Sequence, residues 1–133
     1  MLFRSASLIK AAVFSSGVFD PSVALYISVN EEIRLNPAVA QMNNSMLMPV
    51  RHHAASWVTV GGAEPWRWIE LSLQYSQHLR RQGIDAALEV IPGFNHFSIL
   101  DSLDDPDSSL SRCLMKAVCF AAVSTESLNL TGA

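Results

Sequence analysis

Glu64 and His96 are the residues whose types and setting suit them to chemistry. Each follows a short apolar run that ends in a chain break. Ser56-Trp57-Val58-Thr59-Val60 runs into Gly61-Gly62, and Ala86-Ala87-Leu88-Glu89-Val90-Ile91 runs into Pro92-Gly93. A carboxylate and then a histidine, each on a loop past a strand, is the chain order of the last two members of a Ser–acid–His triad on an α/β sheet. In such a triad the histidine carries the nucleophile's proton, and the carboxylate orients the ring and stabilises its cation. The first member is missing. A nucleophile elbow reads G-x-S-x-G, and neither Ser15 nor Ser16 has a glycine two residues before it. No His-Gly-Gly run supplies oxyanion donors. The residues therefore read as the back half of a serine hydrolase. Without nucleophile and oxyanion donors, the chain alone is expected to be inactive.

These readings compete with plainer ones. An isolated loop histidine is most often a cap or a surface group; the position of His96 past a strand, beside Gly93 and Asn95, favours catalysis. Glu64 suits the start of a helix, where it would complement the dipole, and it can do that while serving as the acid. Asp20, past Ser16-Gly17-Val18-Phe19, is a rival acid, but it follows the strand before the usual acid-bearing one and is expected to hold a loop. Asn95, Trp66 and Phe97 are candidates for support or for a pocket wall. Met42, Met46 and Met48, with Trp68, suit an apolar pocket and equally suit core packing. His52-His53 lacks any further metal-ligand pattern and reads as a solvated pair. His78, next to Leu79, is expected to be partly exposed.

Three elements must position these groups. Ile9 to Phe14, Ser56 to Val60 and Ala86 to Ile91 read as buried parallel strands. Between the second and third, Pro65 suits a first helical turn, and Trp68, Leu71, Tyr75 and Leu79 fall on one helical face. Gly83 stands where a C-terminal cap belongs. A last helix is expected from Asp107 or Ser108, with Asp107 as N-cap and Leu110, Leu114, Ala117 and Ala121 as its apolar stripe. Asn36 to Met42 suggests a short helix and Met46 to His53 a loop. The order predicts an α/β fold with a parallel sheet, and groups past the strand ends gather at one rim. Asp20, Glu64 and His96 are all expected there.

Composition sets the class. The chain has 133 residues, half of them apolar and 16% charged, with a net charge of −3. That is one folded domain, with residues 122–133 expected as a flexible tail. Scattered basic residues exclude a nucleic-acid surface or a polybasic membrane patch. Lys10 interrupts the apolar run near the start, which favours a strand over a signal peptide, and no run is long enough to span a bilayer. Cys113 and Cys119 fall on different faces of one helix, so two free thiols and a cytoplasmic location are expected.

Several segments resemble the kynurenine formamidase (arylformamidase) group of α/β hydrolases. Ser16-Gly17-Val18-Phe19-Asp20 is similar to that group's "SGvyD" segment. Tyr26, Val29-Asn30-Glu31 and Arg34-Leu35 are similar to its "Y…vNe…rL", Gly61-Gly62-Ala63-Glu64-Pro65 to its acid loop "GgdEp", and Pro92-Gly93-Phe94-Asn95-His96-Phe97 to its "pGrNHF". Leu103 to Leu110 resembles the entry to its last helix. The resemblance implies the C-terminal part of an α/β-hydrolase fold with an incomplete sheet. It assigns His96 as catalytic histidine and Glu64 as triad acid, and it implies hydrolysis of an N-formyl-kynurenine-type amide or a related ester, with no metal or cofactor. Two positions depart from the pattern: the acid is Asp in some members, and Glu70-Leu71-Ser72 stands where Arg-Gln-Ser is common. A carboxylesterase of the same fold and a degenerate non-catalytic fragment are the alternatives. Three strands alone would leave an apolar edge, so self-association through that edge is expected.

Overall fold

The computed structural model describes residues 8–51 and 53–130, side chains of 125–130 excepted. Its centre is a three-stranded parallel sheet in the order β1 (Ala11–Ser15), β2 (Ala55–Gly61), β3 (Ala86–Ile91). Ala11 pairs with Ala55 and Ser56 with Ala86, and both ladders run in register from there. Short helices α1 (Asn30–Ile33) and α2 (Pro37–Met42) lie between β1 and β2. The long helices are α3 (Trp66–Arg81), between β2 and β3, and α4 (Ser109–Leu130), after β3.

The apolar runs are continuous because both faces of the sheet are covered. Side chains alternate along each strand. Phe14 and Val58, which are register partners, join Tyr75 and Leu79 of α3 in one core. Their neighbours Val13 and Trp57 serve the other face: Val13 packs with Ile91, Ile99 and Leu110, and Trp57 meets Phe120 of α4 edge-on. Phe19 carries the first core to the edge of the loop after β1, stacking on Tyr75 at 3.9 Å between centroids.

Helix ends follow the local chemistry. Pro65 is the N-cap of α3. At its other end Gly83 has φ +80°. Its N–H donates to Arg80 O, and the Ile84 N–H donates to Leu79 O, the paired bonds of a Schellman cap. Ile84 and Leu79 then share the core cluster. Asn36 caps α2 by accepting from the Val39 N–H. At the start of α4 the cap is Ser108, not Asp107: Ser108 Oγ accepts from the Ser111 N–H, while Asp105 Oδ1 takes the Asp107 N–H. The buried side of α4 runs through Leu110, Cys113 and Ala117, so Cys113 takes the place expected for Leu114. α4 continues as helix through 122–130, where the sequence suggests a flexible tail. Among the described residues no helix is long and apolar enough to cross a membrane. His52 and the first seven residues lie outside the described residues.

Candidate active site

Two loops past neighbouring strands carry the candidate acid and base. After β2 the chain turns through Gly61-Gly62-Ala63, and Glu64 folds back so that the Gly61 N–H donates to its Oε1 (2.9 Å). After β3, Pro92-Gly93 forms a turn with Gly93 at φ +81°, a region where glycine is unstrained. The two loops touch through backbone. The Gly62 N–H donates to Ile91 O and the Ala63 N–H to Phe94 O. Gly61 makes this approach feasible: a Cβ there would lie 2.2 Å from Phe94 O. Asn95 fixes the next turn, its Oδ1 accepting from the N–H groups of Phe97 and Ser98. His96 is thereby held over Glu64.

The side chain of Glu64 is fully buried and that of His96 is 45% exposed, with Nδ1 at 3.9 Å from Glu64 Oε2. Ser16 stands between them. It is the first residue past β1, its N–H still bonded to Thr59 O, and it takes a left-handed φ of +49°. Its hydroxyl donates to both Glu64 oxygens (2.8 and 2.9 Å), and its Oγ lies 2.6 Å from His96 Nδ1. A serine, a histidine and a carboxylate thus form one hydrogen-bonded cluster. The arrangement differs from a triad in one respect. There the acid takes Nδ1 and the serine takes Nε2; here acid and serine share the Nδ1 side. The sequence pattern excluded Ser16 as an elbow and gave it no other role. The available signal was a polar residue and a glycine just past a strand, at the same rim as Glu64 and His96.

The remaining candidates separate. Asp20 caps a short 3-10 turn by accepting from the Ser22 N–H, the loop-holding role expected of it. Phe97 packs edge-on against His96 and lines a cleft of about 660 Å³ that also reaches Glu64, Pro65 and Trp68. Trp66 does not line it and is 74% exposed. Two residues on a helix point about 200° apart, so only one of Trp66 and Trp68 can face the cleft. Met46 packs on the core and Met42 is exposed. His78 is partly buried, with Nε2 at 3.2 Å from Met48 O.

The far wall of the cleft comes from the segment between β1 and α2, through Ile27, Val29, Ile33 and Leu35. Asn30 braces that wall. Its amide donates to Leu25 O and Leu35 O, and its Oδ1 accepts from the Leu35 N–H. Apart from Glu64 and His96 the lining is uncharged, and apolar but for Asn43. Such a cleft suits an apolar or aromatic group beside the acid and the histidine. Among the described residues no group of His, Cys, Asp or Glu is arranged to hold a metal ion.

Comparisons with known proteins bear on the fold. No protein-family profile matches the chain. Kynurenine formamidase from Salmo salar is 31% identical over 114 residues, covering 81% of this chain and 39% of that protein. The Danio rerio kynurenine formamidase is 28% identical over 115 residues, covering 83% and 39%. The chain therefore spans about two fifths of the curated relatives it matches. A crystal structure from silicibacter sp. tm1040, provisionally described as a thioesterase, superposes with a TM-score of 0.65 at 23% identity, over 86% of this chain and 42% of that one. The likeness to that structure establishes the shared fold. The chain is thus similar to kynurenine formamidases over about two fifths of their length and shares the fold of that solved structure.

Proposed function

We propose that this chain supplies the acid–histidine half of a serine hydrolase that cleaves formamides, or closely related amides, of aromatic compounds. The observation that carries the proposal is the hydrogen-bonded cluster of Glu64, Ser16 and His96 at the mouth of an apolar cleft. In this mechanism a serine from outside the chain attacks the formyl carbonyl. His96 takes its proton through Nε2, then returns it to the leaving amine. Water then attacks the formyl-enzyme with His96 again as base; the ester bond breaks to release formate, and His96 returns the proton to the serine oxygen. Glu64 orients the ring and stabilises its cation. The cleft walls at Trp68, Phe97 and Ile33 receive the aromatic part. No metal or cofactor enters the scheme. The chain alone lacks the nucleophile and is inactive. Free Cys113 and Cys119 favour a reducing, cytoplasmic setting.

One observation favours a second reading. A cleft with no Lys or Arg in its lining offers no partner for a substrate carboxylate from this half of the site, so short acyl esters fit as well as an amino-acid formamide. The test is a chimaera in which this chain replaces the matching portion of the Salmo salar enzyme. It is assayed on N-formyl-kynurenine, an uncharged aryl formamide and short acyl esters. Formamide cleavage supports the first reading; ester cleavage alone supports the carboxylesterase; a folded chimaera that cleaves neither contradicts both.

A further inference from the structure

Ser16 is a buried polar group that the acid–histidine mechanism leaves without a role. Its relative exposure is 5%, and its hydroxyl is committed on two sides. The direct gap between Glu64 Oε2 and His96 Nδ1 is 3.9 Å, beyond a hydrogen bond, so the connection between acid and ring runs through Ser16. The direction of the proton follows from donor counting. A carboxylate only accepts, and Glu64 Oε1 already takes the Gly61 N–H. Ser16 has one proton, and it goes to Glu64. Its Oγ then accepts from the ring, which puts the ring proton on Nδ1 and leaves Nε2 with a free lone pair. The backbone supports a side-chain role as well. At φ +49° a glycine would sit without strain, and the hydroxyl is what a serine adds there.

We propose that Ser16 is a positioning residue that relays Glu64 to His96 and holds the ring in the Nδ1–H tautomer, so that Nε2 is the basic nitrogen. The role rests on the reading of His96 as the proton carrier. The same geometry argues against Ser16 as the nucleophile: it lies on the Nδ1 side, it is buried, and its proton points to the carboxylate.

The test uses the 133-residue chain labelled with ¹⁵N. Long-range ¹H–¹⁵N correlations at alkaline pH, where imidazole side chains are neutral, report which nitrogen of His96 bears the proton. The parent is expected to show a protonated-type Nδ1 and an unprotonated-type Nε2. Ser16→Gly keeps a left-handed backbone and removes the hydroxyl. It is expected to move the majority of the ring to the Nε2–H tautomer that free imidazole side chains favour. An Nε2–H ring in the parent overturns the proposal. So does an unchanged Nδ1–H ring in Ser16→Gly, because Glu64 would then hold His96 unaided. Incubation with a fluorophosphonate, read by peptide mass spectrometry, is expected to leave Ser16 unmodified; an adduct on Ser16 would make it a nucleophile and overturn the assignment. If Ser16→Gly does not fold, the parent spectrum and the adduct measurement still decide. These readouts are independent of turnover. An inactive chimaera with an Nδ1–H ring would remove the hydrolase reading and leave the role of Ser16 standing.

Discussion

Gly61→Ala tests how the fold brings acid and histidine together. The new Cβ would stand 2.2 Å from Phe94 O and 2.8 Å from Phe94 C. Carbon contacts relax near 3.5 Å, so the acid and histidine loops must part by roughly 1 Å. Overpacking of this kind costs about 1–3 kcal/mol. The separation also weakens the Ala63 N–H to Phe94 O bond, worth about 1 kcal/mol. The expected loss is about 2–4 kcal/mol, a fall in Tm of roughly 8–16 °C at about 4 °C per kcal/mol for a chain of this size. Gly62→Ala is the control. Its Cβ would meet its nearest neighbours at 3.4 Å, an ordinary contact, and neither glycine has a left-handed backbone. That change should be neutral or should stabilise by up to about 1 kcal/mol through the unfolded state. The assay is thermal unfolding followed by circular dichroism at one protein concentration. If Gly61→Ala melts within about 2 °C of the parent, or if the two variants fall equally, the close approach at Gly61 is not what sets the loops.

Other consequences are as direct. Leu79, with no exposed surface, should cost about 2–5 kcal/mol as Leu79→Ala, while Trp66→Ala should stay within about 0.5 kcal/mol; denaturant melts compare them, and a large Trp66 effect would reverse its placement. Burial, then the charge of Glu89, pushes the Cys113 thiol up, and Cys119 is exposed. Iodoacetamide at mildly alkaline pH should therefore label Cys119 well before Cys113, and mass spectrometry showing the opposite order would place α4 the other way round. β1 is an edge strand, and Met115 (59%), Val118 (61%) and Val123 (63%) are exposed on α4, so the isolated chain should self-associate. Sedimentation should give a mass above 14.6 kDa that rises with concentration, and a constant monomer mass would contradict this.

The sheet and the shared rim position of Glu64 and His96 were legible in the sequence, because both rest on local signals. Apolar runs ending in Gly61-Gly62 and Pro92-Gly93 mark strand ends, and parallel pairing brings consecutive strand ends to one rim. The helical face of Leu71, Tyr75 and Leu79 and the glycine at 83 are equally local. What was not legible depends on geometry between segments. Ser16 failed the elbow pattern and disclosed its place only once β1 paired with β2, which brings its hydroxyl onto Glu64. Trp66 and Trp68 are alike in type, and only the phase of α3 against the cleft separates them. Asp107 and Ser108 are both good cap types, and only the start of α4 at Ser109 settles that Ser108 Oγ takes the Ser111 N–H. The brace at Asn30 joins residues on both sides of it and leaves no periodic trace.

The central claim is that His96, oriented from Glu64, is the proton carrier of a hydrolase. The most direct test is His96→Ala in the chimaera with the Salmo salar enzyme, compared with the unmutated chimaera at matched folded concentration. The account predicts a loss of kcat of roughly 10⁴-fold or more with little change in KM. A His96→Ala chimaera that hydrolyses its substrate at a rate near that of the parent would contradict it.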